Sequence, residues 1–532
     1  VPCRRRKVPH WNIMECVVRV LFLLVAVIFF GQLATGVKNI LYISSVASPS
    51  HFLWSQRLFE RLAELGHNVT VVNLYKHGFV RGVQLVKLEG IVEELAAEEE
   101  DYVEFGQMSP FEVHVAFFDL ELHVCQRAVK SAGFQRMLDY PKDFRFDLVI
   151  HDHLAGPCLL TLLSTFGYPP LIYASAYNRQ STLTTSLGTV VYPGFVPNQV
   201  YDVQNPMTFY QRTVNHLLYF WEYFFKAFIY YPKLDSLIQQ ELNQTESVTS
   251  LEKRSLLAIL NSNQILDPPE PISPNIVQVG GLHIKSQKSL PSNLLRILDH
   301  SNKVVLFSLG SNVRSDQLDS QILNKIIAAM TALPTTTFIW KLESNLPQKL
   351  PPNVITSPWF PQSDLLAHPK LSLFITHGGL LSVQEAVWHG VPMLGMPIYG
   401  DQFGNVNQLV HKGVAKRLSL VDATSDQLVE AILEITTNAS YRNNANRLSR
   451  MFRDRRESPL ETAIWTIEWV LRNANDSHVW NQSPSNSGFL ERYSLDVLLL
   501  SFAGLMATGF TALLKLLKVL TCTSSKSKKK LD

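Results

Sequence analysis

The sequence predicts an α/β protein of two domains, each a parallel sheet wrapped by helices, facing one another across a cleft and followed by a transmembrane helix. Three observations predict it. The chain has 532 residues, too many for one ordinary core and enough for two domains with appendages. Short β-branched runs alternate with helix-length stretches twice over, which is the pattern of βαβ units. Near the C-terminus, Leu495 to Leu514 is an apolar run of about 20 residues, long enough to cross a hydrocarbon core of about 30 Å.

At the N-terminus the first methionine is Met14, so residues 1–13 are expected to lie outside the native chain. Arg19, the apolar run Val20 to Phe30 and the small-residue site Ala34-Thr35-Gly36 predict a signal peptide over 14–36. The first domain is expected over 37–280. It opens with a strand, Asn39 to Val46, then Ala-Ser-Pro-Ser, then a helix from His51 to Leu65 stopped by Gly66. Asn68 to Asn73 is the next strand, which completes a βαβ unit with parallel pairing. Phe146 to Ile150 is a further buried strand, ending at His151-Asp152-His153. From Phe209 to Tyr231 the chain is dense in Phe, Tyr and Trp, which fits core helices, an apolar pocket or a membrane-facing surface. Prolines from Pro268 to Pro274 mark an extended connection.

The second domain is expected over 281–472. Strands are predicted at Lys303 to Phe307, Thr336 to Lys341, Leu371 to Thr376 and Val391 to Met396, with helices at Asp316 to Ala332 and Leu380 to His389. Helix formers from Ser440 to Arg472 close it. A polar linker over 473–494 reaches the transmembrane helix at 495–514. The basic tail over 515–532 marks the cytosolic side, so the body is expected to be lumenal, in a single-pass type I arrangement. Sequons at Asn68, Asn243, Asn438 and Asn475 all lie on that lumenal side.

Net charge is +3, and many basic residues stand in tails rather than in a patch, so nucleic-acid binding is not expected. Of the five cysteines, only Cys125 and Cys158 lie in the body; one disulfide or two buried free thiols both fit. No Cys/His cluster suggests zinc, and no metal or other cofactor is expected.

The chemistry concentrates in residues 374–402. Thr376-His377-Gly378-Gly379 lies between a strand end and a helix start. Ligands of open parallel sheets bind there, glycines let backbone amides approach, and a helix N-terminus favours anions. A diphosphate fits, with His377 adding a donor. Ser382 and Glu385 share one face of the following helix, and a carboxylate there can accept two hydrogen bonds from a ribose diol. Asp401-Gln402, in the loop after the next strand, pair a carboxylate with an amide, which suits sugar hydroxyls. Upstream, Trp359 offers a face to a base and Gln362 an amide.

Taken together, Phe374-Ile-Thr-His-Gly-Gly, Glu385, Pro392, Pro397 and Asp401-Gln402 resemble the signature of UDP-glycosyltransferases. Val279-Gly-Gly-Leu-His and Phe307-Ser-Leu-Gly-Ser-Asn resemble the animal, particularly insect, membrane-bound branch of that family. The resemblance implies the GT-B fold of two Rossmann-like domains. It implies that Trp359 stacks on uracil, Gln362 contacts uridine, His377 and Gly379 hold the diphosphate, Glu385 holds the ribose, and Asp401 and Gln402 hold the sugar. Ser308, Gly310 and Ser311 would meet the nucleotide from the first loop of that domain. Many relatives carry Asn four residues after the motif histidine. Here the residue is Leu381, and the backbone amides of Leu381 and Ser382 are expected to serve instead.

In the first domain the same resemblance places a catalytic base at His51, within Ser50-His51-Phe52, and its orienting carboxylate at Asp152. The implied reaction moves a hexose, glucose before glucuronate, from a UDP-sugar to a hydroxyl of a small lipophilic acceptor, with inversion. The implied location is the endoplasmic reticulum membrane, and the Lys529-Lys530-Leu531-Asp532 end resembles a dilysine retrieval signal. Assembly with like or unlike chains is compatible with the family. A non-catalytic lipophile-binding protein and a ceramide-type lipid glycosyltransferase are the alternatives on the same scaffold.

Overall fold

The computed structural model describes residues 36–75, 82–97, 102–154, 156–178, 180–474, 476 and 489–528. All but the last residue of the expected signal peptide, the Asn475 sequon, most of the 473–494 linker and the dilysine end lie outside them.

Thirteen strands are seen among the described residues, and all of their pairings are parallel. The first sheet comprises β1 (Asn39–Ile43), β2 (Asn68–Asn73), β3 (Val83–Lys87), β4 (Leu148–Asp152), β5 (Leu171–Ser175), β6 (Ser255–Leu260) and β7 (Ile276–Gln278). Their order is β3-β2-β1-β4-β5-β6-β7. The chain thus reverses direction across the sheet between β1 and β4, which opens a crevice at their carboxyl ends. The second sheet comprises β8 (Lys303–Ser308), β9 (Thr336–Lys341), β10 (Val354–Ser357), β11 (Leu371–Thr376), β12 (Met393–Gly395) and β13 (Ala415–Arg417), in the order β10-β9-β8-β11-β12-β13. Its switch point falls between β8 and β11. Central strands such as β4, β5 and β11 are buried almost throughout, as parallel strands covered on both faces must be.

Helix α1 (Pro49–Glu64) follows β1 directly. Proline at its first position costs no hydrogen bond, because that amide has no partner inside a helix. Its Phe52, Trp54, Leu58 and Leu62 are buried, on spacings that put them on one side. Helix α2 (Pro110–Lys130) is entered through a Ser109–Glu112 capping box. Cys125 on α2 is joined to Cys158 by a disulfide, which settles the choice left open above.

The expected strand Phe146–Ile150 begins two residues later and ends on Asp152. The reason lies in its first residues: the Asp147 carboxylate accepts from the Asn39 amide at 2.8 Å, and pairing with β1 begins only at Leu148.

Helix α3 (Phe209–Phe225) uses its aromatic density on both sides. Leu218 and Phe225 are buried, and Phe225 stacks on Phe118. On the other side Phe209, Tyr210, Leu217 and Phe220 are exposed, Phe209 by 78%, as is Phe228 in the π-helical turn Lys226–Tyr230 that follows.

In the second half, α4 (Ser320–Thr331), α5 (Gln362–Leu366), α6 (Leu380–His389) and α7 (Gln402–His411) cover the sheet, and α8 (Ala439–Arg453) packs on α6. The last body helix, α9 (Pro459–Arg472), crosses back. Its Ala463, Ile464, Ile467 and Val470 join the core made by Ile40, Leu58 and Ile150 of the first sheet's layer. Helix α10 (Leu495–Lys528) contains an apolar span, Leu495–Lys518, with none of its most apolar window buried.

Candidate functional site

The two carboxyl-end crevices face each other. They enclose a cavity of about 1140 Å³. From the second domain it is lined by Ser308, Gly310 and Ser311 after β8, by Trp359 and Gln362 at the start of α5, and by His377, Gly379, Ser382 and Glu385 at β11–α6. Asp401 and Gln402 at the start of α7 complete that wall. His51 lines it from the first domain. Asp152 is fully buried behind His51.

Helix α6 starts with Gly379 at its N-cap, and no side chain caps it. The amides of its first turn are therefore left to a ligand, with the positive end of the helix behind them. Glycine is required on both sides of the His377 ring. A Cβ on Gly310 would sit 2.5 Å from the ring, and one on Gly379 would sit 2.4 Å from Nε2. Gly310 also has φ +85°. Burial, with the Lys341 charge adding to it, drives the His377 imidazole down to about 4, so the ring is neutral at neutral pH.

Beyond that turn, the Gln362 amide donates to Ser382 Oγ at 3.0 Å and to Glu385 Oε2 at 2.7 Å. This draws three sequence-predicted residues from two helices into one polar cluster. Burial pushes the Glu385 carboxyl up to about 7, against the Gln362 bond. Trp359 stands beside them, 61% exposed. Leu381 packs its side chain on the core of the first domain, and its carbonyl lies 3.2 Å from His283 Nε2.

Gln402 spends its carbonyl oxygen on the backbone amides of Ile398 and Tyr399, at 2.8 and 3.2 Å. That fixes the loop and leaves the amide nitrogen to donate. Asp401 Oδ2 accepts from Asn405 at 2.8 Å, and Asn405 also donates to the Gly378 carbonyl at 3.1 Å. Asn405 therefore ties the Asp401 carboxylate to the glycine turn. Its signal was available one helical turn after Asp401, but an amide at that spacing is common on any helix. Burial raises Asp401 to about 6, opposed by Asn405 and by the charge of His51 across the cleft.

His51 is in the first turn of α1, 6% exposed, with its ring 4.9 Å from that of Tyr177. Its Nδ1 lies 3.8 Å from Asp152 Oδ2 and has no hydrogen-bond partner. Asp152 is held in turn by Ser44 Oγ and the Leu154 amide, each at 3.3 Å. Ser48 Oγ reaches across to Asn312 Oδ1 at 3.1 Å, and Asn312 donates to Tyr399 at 3.1 Å. Asn312 thus locks the loop before His51 to the loop before Asp401, a role that only the folded chain reveals.

The arrangement can hold an anion at the glycine turn and a polyol beside Asp401, with an imidazole facing both. Comparison with known proteins agrees in kind. The family model for UDP-glucuronosyl and UDP-glucosyl transferases matches residues 49–530. The chain is similar to UDP-glucuronosyltransferase 2B15 of Rattus norvegicus, at 29% identity over 84% of this chain and 87% of that one. It is similar to UDP-glycosyltransferase UGT5 of Dactylopius coccus, at 30% identity over 83% and 84%. Among solved structures, a UDP-glucosyltransferase of Polygonum tinctorium aligns with TM-score 0.56 and 17% identity, over 82% of this chain and 99% of that one. The calicheamicin glycosyltransferase CalG4 aligns with TM-score 0.53 and 17% identity, over 82% and 99%. Those structural likenesses speak for the GT-B fold.

Proposed function

The chain belongs to the family of UDP-glucuronosyl and UDP-glucosyl transferases, and from that premise we propose that it moves glucose from UDP-glucose onto a hydroxyl of a small lipophilic acceptor. The observation that carries the reading is His51 facing Asp401 across the cleft, with the glycine turn of α6 beside them.

In the proposed reaction the acceptor O–H gives its proton to His51 Nε2 as its oxygen bonds to the anomeric carbon. The bond from that carbon to the diphosphate breaks on the opposite face, so configuration inverts. Asp152 receives the Nδ1 proton's hydrogen bond and stabilises the imidazolium, which asks the 3.8 Å gap to shorten as the acceptor binds. The departing diphosphate is met by the first-turn amides of α6 and by His377. Asp401 and the Gln402 amide orient the sugar, Glu385 the ribose, and Trp359 the uracil. The scheme uses no metal and no other cofactor.

We place the body in the endoplasmic reticulum lumen. The Cys125–Cys158 disulfide supports an oxidising compartment. The Val191 amide donates to the Tyr493 hydroxyl at 3.3 Å, just before α10 begins. The loop after Val191 is held on α3 by Asn215, which donates to the Pro193 and Val196 carbonyls at 2.7 and 2.8 Å. The start of α10 is thereby tied to the loop that packs on the buried Asn215 side of α3, and the exposed aromatic side opposite is an apolar face that suits a bilayer surface.

The test is a donor-by-acceptor assay on membranes carrying the full chain, with mass detection of the conjugate. UDP-glucose with a simple alkylphenol is expected to yield the glucoside, and His51→Ala to lower turnover by roughly 10²–10⁴. A glucuronide alone would overturn the sugar assignment. Intact turnover in the variant would overturn the mechanism.

A further inference from the structure

The transfer reaction leaves a half-buried carboxyl of the cleft, that of Glu121, without a role. Glu121, on α2, lines the cavity from the first domain. The wall around it is apolar, formed by Val92, Leu95, Phe117, Leu120 and Val124. Its Oε2 accepts a hydrogen bond from the Tyr230 hydroxyl at 2.8 Å. Lys226, the cation that acts on it, stands 3.6 Å from Glu252, so its charge is shared with a second carboxylate. Burial raises the Glu121 carboxyl to about 7.

Position ties Glu121 to the chemistry. A Cβ on Gly156, four residues beyond Asp152, would lie 3.7 Å from the Glu121 carbonyl. The residue therefore sits against the loop that leaves the orienting aspartate, on the side where an acceptor must lie. A carboxyl in an apolar wall with one hydrogen bond is costly to keep, because the water it gives up is not fully replaced. A cation brought into that wall would recover the cost, because opposite charges attract more strongly where water is excluded.

Resting on the transferase reading, we propose that Glu121 selects the acceptor by pairing with a basic amine. The preferred acceptors are then lipophilic alcohols or phenols carrying an ammonium group remote from the hydroxyl that receives the sugar. The apolar wall takes the hydrocarbon between the two.

The experiment compares 4-hydroxyphenylalkylamine with the 4-alkylphenol of equal length, using the full chain in detergent. Two quantities are measured, kcat/KM with UDP-glucose and Kd by calorimetry without donor. The amine is expected to win by at least about tenfold in both, and Glu121→Gln to bring both ratios near one. Leu120→Ala, on the same wall, is expected to weaken both acceptors together and keep the ratio. A wild-type ratio near one, or a ratio that survives Glu121→Gln, overturns the proposal. Absence of any conjugate overturns the transferase reading instead, and the Kd ratio still decides the role of Glu121.

Discussion

Glu385 shows how burial can be turned to recognition at the scale of one side chain. Its carboxyl is enclosed between Gln362 and the first turns of α6, with the Asp364 charge nearby also opposing ionisation. Burial pushes that carboxyl up to about 7. A ribose diol donating two hydrogen bonds to the carboxylate favours the charged form and lowers that value. Binding therefore releases protons at neutral pH, and affinity falls as pH drops through about 7. Calorimetry of UDP binding in buffers of different ionisation enthalpy is expected to show this release, with Kd weakening from pH 8 to pH 6. In Glu385→Gln the release disappears and the profile flattens. An unchanged proton count in the variant would remove the ribose assignment.

Among the elements, α9 has the most consequence for its length. It follows the second domain in sequence but buries Ile464, Ile467 and Val470 in the core of the first. His67 meets Glu468 at 2.7 Å on the same contact. The helix therefore returns the chain to its starting domain and holds α1, the helix that presents His51. Ile467→Ala is expected to cost 2–5 kcal/mol of stability, about the usual range for a buried isoleucine truncated to alanine. Thermal unfolding is the measurement. The loss should fall on the first domain, so that UDP protects the variant less than it protects the wild type.

At the scale of the whole molecule, two apolar surfaces of the described residues stand exposed. The most apolar window of α10 is unburied, and one side of α3 is exposed and aromatic. A chain ending before Leu495 is expected to keep binding liposomes of zwitterionic lipid in flotation assays. Replacing Phe220 and Phe228 together by serine should release it to the soluble fraction. Loss of all binding on truncation alone would leave α10 as the sole anchor. The contacts that hold the cleft also belong to this scale. Asp202 pairs with Arg417 at 2.7 Å, and Gln384 bridges to Gly281 and Asn261 at 2.9 and 3.0 Å.

The sequence by itself determined the βα alternation, the glycine turn and the run from Phe374 to Gln402. These are local facts: period, turn chemistry and residue spacing act within one or two turns of chain. Helix Leu380–His389 and strand Leu371–Thr376 match their expected bounds for that reason. Only the tertiary structure decided what depends on partners far along the chain. It closed Cys125 onto Cys158, sent α9 back to the first domain, and divided the aromatic run of α3 between core and surface. It placed Asn312 and Asn405 in the site, and set Glu121 in the apolar wall of the cavity. None of these carries a periodic signal, because each is fixed by which surfaces meet once both sheets have formed.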